Sequence, residues 1–292
     1  MAEDLVFIMS GGRTGTKFLG DLLGEVIADC HSEHEPDLFL GFDRLTVARI
    51  RRFGLWHMVV GRALGRAGVR VTGMRFLKGE ISLEAATASF RRQRARYHAE
   101  TPERMLIESN YPWWMVAPHL GAHRGAIFPG AKAIGVVRDP RAWIASWAAH
   151  QAGRDRGHWT HRLPPGPLTP MALRDEEWAA RWEEIGAVGR LAWQWRRVTA
   201  SLAAAEDAGA ARVYRFEDLF SEDDAPMAGL VEDICDFGDR RYRFEMPPGF
   251  RARPRNASAA RDGDWREWSA AERAAANELC EPFLARYGYE AI

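Results

Sequence analysis

Glycines, threonines and two cations follow the first apolar run of the chain, in the segment IMSGGRTGTKFL that begins at Ile8. A glycine-rich turn between a strand and a helix directs backbone N–H groups into one concavity, and the helix adds the positive end of its dipole. The pattern therefore predicts a site for a phosphate-like anion, and the alternative is an ordinary strand–helix turn with exposed cations. The candidate anion-binding residues are Gly12, Arg13, Thr14, Gly15, Thr16 and Lys17.

The same segment departs from the Walker A pattern GxxxxGK[ST] of nucleotide kinases. A match that starts at Gly11 would need glycine at Thr16 and serine or threonine at Phe18. A kinase on the same architecture stays open as an alternative, and dependence on Mg²⁺ would distinguish it.

A second cationic position is predicted in GVVRDPRAWIAS, which begins at Gly135. Its apolar run ends at Arg138, and Pro140 suits the first position of a helix because its fixed φ and missing N–H cost nothing there. Asp139 is placed to cap that helix, and Ser146 falls about two turns into it. The alternative makes Arg138 and Asp139 a structural ion pair and Ser146 a small packing residue.

These segments need elements that bring them together. Apolar runs alternate with helical patterns, which favours βαβ units and a parallel sheet flanked by helices, an α/β fold of three layers. The predicted strands are 5–10, 69–76, 104–108, 131–137 and 212–216. The predicted helices are 16–28, 43–67, 112–123, 141–151, 175–207, 225–237 and 269–287.

Two segments, 153–174 and 242–265, resist periodic assignment. The first contains HRLPPGPLTP and is a candidate lid or substrate loop. Trp159 within it is a candidate for stacking on a flat substrate face. The other tryptophans of the long helical pattern are expected in the core. The absence of a repeat or a clear linker predicts one domain over residues 1–292.

Composition excludes several classes of protein. The 292 residues carry a formal net charge of zero, and 47% are hydrophobic, which indicates a globular chain without a generally basic nucleic-acid-binding surface. Cys30, Cys235 and Cys280 form no CxxC pair, the N-terminus has no basic region of a signal peptide, and no apolar run is long enough to span a membrane. We expect a cytoplasmic protein without a membrane segment or nucleic-acid partner; its oligomeric state is open.

The opening loop resembles the 5′-phosphosulfate loop of sulfotransferases that use 3′-phosphoadenosine 5′-phosphosulfate (PAPS), which reads basic–Ser–Gly–Thr–Thr. Arg13 to Lys17 occupy those positions, with Thr14 for the serine and Lys17 for the last threonine. The family's 3′-phosphate site is an arginine at a strand end and a serine eight positions later, a spacing that Arg138 and Ser146 match. Two matching anion sites in the right order are more specific than either alone.

Three further patches are similar to this family. VYRFEDL places Phe216 where the family has an adenine-neighbouring tyrosine, and the alternative is a core aromatic. GDWR near the C-terminus resembles the last cofactor loop and makes Arg266 a candidate for the 3′-phosphate, although the Arg-Lys-Gly that opens that loop is missing; Arg255 or Arg261 could substitute. The terminal helix and Gly-Tyr end also resemble bacterial members.

The resemblance implies a base for the acceptor within HSEHEPD, which begins at His31. A Glu-Pro at this point in carbohydrate-acting members favours Glu35, and His34 is the second candidate because its ordinary pKa of about 6.5 suits a base. The alternative is a solvated loop, and a metal site at His31 and His34 has no supporting motif. Glu108, at a strand end, is a further base candidate or a substrate contact.

The resemblance implies transfer of a sulfuryl group from PAPS to a hydroxyl or amine, leaving 3′-phosphoadenosine 5′-phosphate. Arg13 and Lys17 would stabilise charge on the leaving side, and no metal is expected. The acceptor is implied to be a small molecule or carbohydrate. A catalytically silent nucleotide-binding module is the remaining alternative.

Overall fold

Five parallel strands form one sheet in the computed structural model, which describes residues 2–38, 44–121, 123–154, 166–250 and 265–292. The order across the sheet is β2-β3-β1-β4-β5, and every neighbouring pair is parallel. The strands are β1 (Asp4–Ser10), β2 (Cys30–His34), β3 (Met105–Ser109), β4 (Lys132–Val137) and β5 (Arg212–Arg215). The predicted fold class, a parallel sheet between helices, is confirmed.

The helices cover both faces of this sheet. They are α1 (Thr16–Val26), α2 (Arg44–Phe53), α3 (Gly61–Ala63), α4 (Val69–Leu77), α5 (Leu83–Glu100), α6 (Pro140–Arg154), α7 (Pro170–Leu173), α8 (Glu176–Arg181), α9 (Gly186–Asp207), α10 (Phe216–Leu219), α11 (Ala225–Cys235) and α12 (Ala270–Leu284). A π-helical turn spans Trp56–Val60, and 3₁₀ turns span Tyr111–His119 and Trp265–Glu267. No helix in the described ranges is both long and apolar enough to cross a membrane.

The central strand is buried on both faces because its neighbours and two helical layers surround it. Val6 and Ile8 point to the layer of α1 and α11, while Phe7 and Met9 point to the layer of α5 and α9. The alternation of side chains along the strand divides the core in this way.

One prediction of secondary structure was wrong, and one strand was not predicted. Residues 69–76 form the helix α4 and not a strand, because Val69 and Met74 pack into a core cluster as a helical face and Gly73 lies against Met115. The polar stretch from Cys30 to His34 is not a loop but the edge strand β2, paired along its length with β3. An edge strand needs no apolar run, since one of its sides has no partner strand.

Other boundaries differ more modestly. The predicted helix 43–67 is broken into α2, a π-helical turn and α3, and the predicted helix 175–207 is broken between α8 and α9. The segment expected to be irregular contains the short helix α7, while residues 155–165 lie outside the described residues. Residues 251–264 of the second irregular segment, with Arg255 and Arg261, also lie outside them.

The strand order fixes the position of the site. The chain leaves β1 toward one edge through α1 and β2, then returns to pair β4 with the other side of β1. In open α/β sheets a ligand crevice lies at the carboxyl ends of the strands, at such a switch point. The loop after β1 lies there, flanked by the ends of β3 and β4.

Candidate functional site

The loop between β1 and α1 turns sharply. Gly12, Arg13 and Gly15 all have positive φ, at 75°, 57° and 72°. Gly15 is the N-cap of α1 and provides no side-chain cap, and the first backbone bond of the helix runs from Leu19 N–H to the Gly15 carbonyl. The N–H groups of the first turn therefore face outward without an intrahelical acceptor, which is the arrangement that binds an anion.

Two tryptophans of α6 hold the loop from behind. Trp143 Nε1–H donates to the Gly12 carbonyl at 2.9 Å, and Trp147 Nε1–H donates to the Gly11 carbonyl at 3.2 Å. A Cβ on either glycine would stand 3.0 Å from the facing indole. The loop can approach α6 this closely only because both residues are glycines.

The two predicted anion sites meet. Arg13 Nε donates to Ser146 Oγ at 3.0 Å, across 133 residues of sequence. Arg138 Nη1 donates to the Arg13 carbonyl at 2.9 Å, and the Arg138 carbonyl accepts from Trp195 Nε1–H at 2.9 Å. Two guanidinium groups therefore lie at the carboxyl ends of β1 and β4, and each is held by a contact with another element.

The helix after Arg138 begins as the sequence indicates. Asp139 Oδ1 accepts from Arg141 N–H at 2.8 Å, which is a side-chain cap, and its carboxylate also pairs with the Arg141 guanidinium at 2.6 Å. The Asp139 N–H donates to Glu217 Oε1 at 2.8 Å, and Tyr289 OH donates to the other Glu217 oxygen at 2.8 Å. Glu217 thus joins this turn to β5 and the C-terminus.

Phe216 lies next to both anion sites. The Arg138 guanidinium stands 4.6 Å from its ring centre, and the Phe220 ring lies 4.5 Å away. A Cβ at Gly15 would stand 3.4 Å from the Phe216 ring. In this arrangement Arg138 covers one face of Phe216, so an aromatic ligand could stack on that face only after Arg138 shifts.

Arg266 lies in the 3₁₀ turn Trp265–Glu267, which packs against the start of α6. Its guanidinium stands 5.1 Å from the Trp265 ring, which in turn lies 5.3 Å from the Arg141 guanidinium. Arg266 is exposed on this side of the start of α6. Trp159 lies outside the described residues.

Lys17 is turned along α1. Its Nζ pairs with Asp21 at 3.1 Å, one helical turn on, and 45% of its side chain is exposed. An exposed ion pair of this kind contributes at most about 0.5 kcal/mol, so an anion at the loop can compete for Lys17.

The two loop threonines are buried and face inward. Thr14 lines a small pocket together with Arg138 and Thr199, and its Oγ1 has no hydrogen-bond partner among the described residues. The Thr16 carbonyl accepts from Ser109 Oγ at 2.6 Å, which ties the start of α1 to the end of β3. The hydroxyl predicted as a ligand contact at Thr14 is therefore buried and without a hydrogen-bond partner among the described residues.

His34 and Glu35 lie at the carboxyl end of β2, beside α1. A Cβ at Gly20 would stand 3.2 Å from His34 Cβ, and the Glu35 N–H donates to the Ser109 carbonyl at 2.9 Å. Burial, and next the positive charge of Lys17, lower the pKa of His34 to about 4. His34 is therefore neutral near pH 7, with Nε2 3.9 Å from Glu35 Oε1.

Glu35 is held in an unusual backbone conformation. Its φ is 46°, its carbonyl accepts from Leu38 N–H, and its side chain is 16% exposed. Its carboxylate thus lies at the end of an edge strand, half-buried beside the first turns of α1. Glu35 stays the predicted base.

The two other acidic residues of HSEHEPD, Glu33 and Asp37, accept hydrogen bonds from cationic side chains of later helices. Glu33 accepts from Arg49 at 3.3 Å and from Arg52 at 2.9 Å. Asp37 is buried and accepts from His57 Nε2 at 2.9 Å and from Arg94 at 3.2 Å. The Arg94 and His57 contacts outweigh the burial of Asp37 and hold the pKa of this carboxyl well below its ordinary value.

Glu108 is not placed to contact a substrate. It is fully buried, and its two oxygens accept from Arg94 Nε at 2.8 Å and Nη2 at 2.7 Å. Asn110 and Trp113 donate to the same carboxylate. The geometry makes Glu108 the partner of a buried arginine, which corrects the expectation of a base or substrate contact.

Four residues of this arrangement did not emerge from the sequence: Trp143, Trp147, Trp195 and Glu217. Trp143 and Trp147 stand four residues apart around Ser146, a helical spacing that could have assigned them to the face of the predicted serine. Trp195 is buried, as expected for the long helix, yet its N–H also fixes Arg138. Nothing local in the sequence marks Glu217 as the acceptor for the Asp139 N–H.

No protein-family model matches the chain, and no curated protein matches it. Among the solved structures similar to it are three that match nearly the whole of both chains. The first is the sulfotransferase domain from the Synechococcus PCC 7002 olefin synthase, with 16% identity, coverage of 99% of this chain and 96% of that chain, and a TM-score of 0.45. The second is the sulfotransferase domain from the curacin biosynthetic pathway, with 13% identity, coverage of 98% of each chain and a TM-score of 0.42. The third is a sulfotransferase from Alicyclobacillus acidocaldarius, with 17% identity, coverage of 99% of this chain and 98% of that chain, and a TM-score of 0.45. All three are sulfotransferases, the family whose motifs the sequence resembles.

Proposed function

We propose that the chain transfers a sulfuryl group from PAPS to a hydroxyl or amine of a small-molecule or carbohydrate acceptor. The observation that carries the proposal is the hydrogen bond between Arg13 and Ser146, together with the hydrogen bond that Arg138 donates to the Arg13 carbonyl. It joins two cationic motifs that the sequence separates by more than 120 residues. A ligand with one phosphate-like group would need one of these sites, whereas a 3′,5′-bisphosphorylated nucleotide has an anion for each.

The residues present fit such a nucleotide. The uncapped first turn of α1, with Arg13 and Lys17, suits the 5′-phosphate, and Arg138 with Ser146 suits the 3′-phosphate. Phe216 lies against Arg138, and Arg266 stays a predicted contact of the 3′-phosphate because its neighbour Trp265 stacks on Arg141 at the start of α6. The bound cofactor would supply an activated sulfuryl group with a phosphate leaving group.

In this proposal the chain's own groups act by position and charge. The loop N–H groups, Arg13 and Lys17 stabilise the negative charge that develops on the leaving side, where one well-placed donor is worth about 3–4 kcal/mol of barrier. Glu35 accepts the acceptor's proton, and His34 is the second candidate for that task. The preference for Glu35 rests on the Glu-Pro resemblance, since burial lowers the pKa of His34 to about 4 and leaves it no stronger a base than an ordinary carboxylate.

Calorimetric titration with 3′-phosphoadenosine 5′-phosphate, with ADP and with ATP–Mg²⁺ tests the proposal. We expect tight metal-independent binding of the bisphosphate and weak binding of the other two. Arg138→Ala should weaken that binding about 10–100-fold, the value of a charge-assisted contact, and Arg181→Ala, an exposed ion-paired arginine on α8, should leave it unchanged. Preference for ATP–Mg²⁺ would support a kinase, and equal binding of the bisphosphate by Arg138→Ala would remove Arg138 from the site.

A further inference from the structure

One short segment of the chain carries most of the exposed large apolar side chains of the described residues. Six large apolar residues are exposed, and five of them lie within residues 47–64. These five are Val47 (46% exposed), Leu55 (58%), Trp56 (55%), Val60 (39%) and Leu64 (55%), and the sixth is Met171 (52%). Single exposed apolar residues are ordinary, but five along one short segment form a patch that suggests a binding function.

The patch follows helical spacing. Trp56, Val60 and Leu64 recur every four residues, and the Leu64 N–H donates to the Val60 carbonyl at 3.0 Å, so they share one helical face. His57 and Met58 between them are buried. The segment therefore turns one side to the core and presents aromatic and aliphatic side chains on the other.

The same segment is strongly basic. Between Asp43 and Glu80 the sequence contains nine arginines and lysines and no aspartate or glutamate, in a chain whose formal net charge is zero. Arg51, one turn after Val47 on α2, is exposed, as are Arg66 and Arg70. We call the exposed set Val47, Arg51, Leu55, Trp56, Val60, Leu64 and Arg66 the basic apolar surface.

This surface is built on a fixed support. His57, within the patch-bearing turn, bonds the buried Asp37 at 2.9 Å, and Asp37 also accepts from Arg94, which is fully buried. Arg49 on α2 donates to the Leu38 carbonyl at 2.8 Å. These hydrogen bonds and the Arg94–Asp37 ion pair fix the buried side of the segment, so its apolar side chains on the other side stay exposed.

We propose that the basic apolar surface binds the surface of an anionic lipid membrane. An amphipathic helical segment with aliphatic and tryptophan side chains on one face, and cations beside them, lies in the headgroup region with its apolar face inserted. Each arginine near an anionic leaflet adds about 1 kcal/mol, and tryptophan prefers this interface. The absence of any acidic residue through the segment favours an anionic lipid over a second copy of this chain, which would oppose like charges.

Co-sedimentation with vesicles tests the proposal without reference to catalysis. We expect the protein to sediment with vesicles of phosphatidylcholine and phosphatidylglycerol, much less with phosphatidylcholine alone, and less at high salt. The double variant Trp56→Ser, Leu64→Ser should bind the anionic vesicles at least about tenfold more weakly, since each side chain buries apolar area worth more than about 1.4 kcal/mol. Met171→Ser, an exposed apolar position on α7, is the matched control and should bind as the parent does.

The proposal would be overturned by no sedimentation with anionic vesicles, by equal binding of the double variant, or by equal binding to both vesicle types. A dimer in analytical ultracentrifugation that the double variant abolishes would assign the surface to a second copy, and a soluble acidic protein as the preferred ligand would likewise contradict it. The double variant should bind 3′-phosphoadenosine 5′-phosphate like the parent, so failure here is distinguishable from failure of the proposed function. A thermal melt like that of Met171→Ser confirms that the variant is folded.

Discussion

Arg13 and Glu35 share a feature that their sequence positions do not suggest. Both have positive φ, and among the described residues the only other non-glycine residues of this kind are Asp29 and Arg174. Arg174 is the C-cap of α7, where a left-handed residue is ordinary. Such a conformation costs about 1–2 kcal/mol for a long side chain, and strain of this size is often retained at functional sites. That both strained long side chains near the loop are proposed catalytic residues supports their assignment.

The choice of base can be tested by a pair of variants. Glu35→Gln keeps the size and the backbone bonds of Glu35 but cannot take a proton, so we expect turnover to fall about 10²–10⁴-fold with cofactor affinity nearly unchanged. His34→Gln should lower turnover much less. The measurement is the rate of product formation from PAPS with a responsive acceptor, together with calorimetric binding of the bisphosphate.

The opposite pattern, with His34→Gln inactive and Glu35→Gln active, would make His34 the base. Loss of activity in both, with normal binding, would indicate that the two side chains act as one unit through their 3.9 Å contact.

Glu108 provides a contrasting prediction. Its carboxylate is the bidentate partner of Arg94, which is fully buried, so Glu108→Gln should destabilise the fold by up to about 3–5 kcal/mol because only Asp37 then balances the charge of this arginine. Urea unfolding measures this loss. Glu278→Gln, which removes an exposed partner of Arg181, should cost less than about 1 kcal/mol and is the control. A stable Glu108→Gln protein with lost turnover would instead restore Glu108 as a chemical group.

At the scale of elements, local patterns predicted the strands and helices that position the anion sites. The apolar runs at β1 and β4 are each followed by a turn and an amphipathic helix, so the local pattern alone predicts a strand and then a helix. The sequence CHSEH of β2 does not, since an edge strand with half-buried polar side chains has no apolar alternation. The sequence VRVTGMRF has the β-branched residues of a strand, but tertiary packing of Gly73 against Met115 favours a helix there.

The loop itself depends on one glycine more than the others. Gly15 has a φ of 72°, and a Cβ there would stand 2.5 Å from the Phe220 ring. Gly15→Ala should therefore cost about 1–2 kcal/mol for its backbone conformation, plus about 1–3 kcal/mol for crowding, and should weaken binding of the bisphosphate as the loop shifts. Thermal or urea unfolding and calorimetry measure the two effects.

Gly209→Ala is the matched control, because Gly209 has a similar φ of 63° and open space where its Cβ would lie. It should show the backbone cost alone, with normal binding. If the two variants lose equal stability, crowding against Phe220 contributes nothing.

At the scale of the whole molecule, the site divides into a part that the sequence predicts and a part that it does not. The loop residues and Arg138 can be predicted from local composition, because a glycine-rich turn and a cation at a strand end are recognised from a few neighbouring residues. The links between them are long-range: the Trp195 bond to Arg138 and the Asp37–Arg94 pair join residues 57 apart in each case. No local pattern encodes such contacts, so the support behind Glu35 and the role of Glu108 emerge only from the fold.

The stability of the fold should depend on pH through its half-buried histidines. Burial, and then a nearby cation, lower the pKa of His34 and of His98 to about 4, from about 6.5 in the unfolded chain. Between these values the unfolded state binds protons that the native state does not. Stability is therefore fully present above about pH 6.5 and is lost as the pH falls toward 4.

This loss can be assigned by substitution. For His34 it reaches at most about 3.5 kcal/mol, since each pKa unit corresponds to about 1.4 kcal/mol. His34→Gln and His98→Gln should each flatten the dependence of the unfolding free energy on pH, measured by urea denaturation at about pH 7 and about pH 5. Parallel pH profiles for the parent and both buried-site variants would show that these histidines are protonated equally in the native and unfolded states, and that carboxylates such as Asp37 carry the acid sensitivity alone.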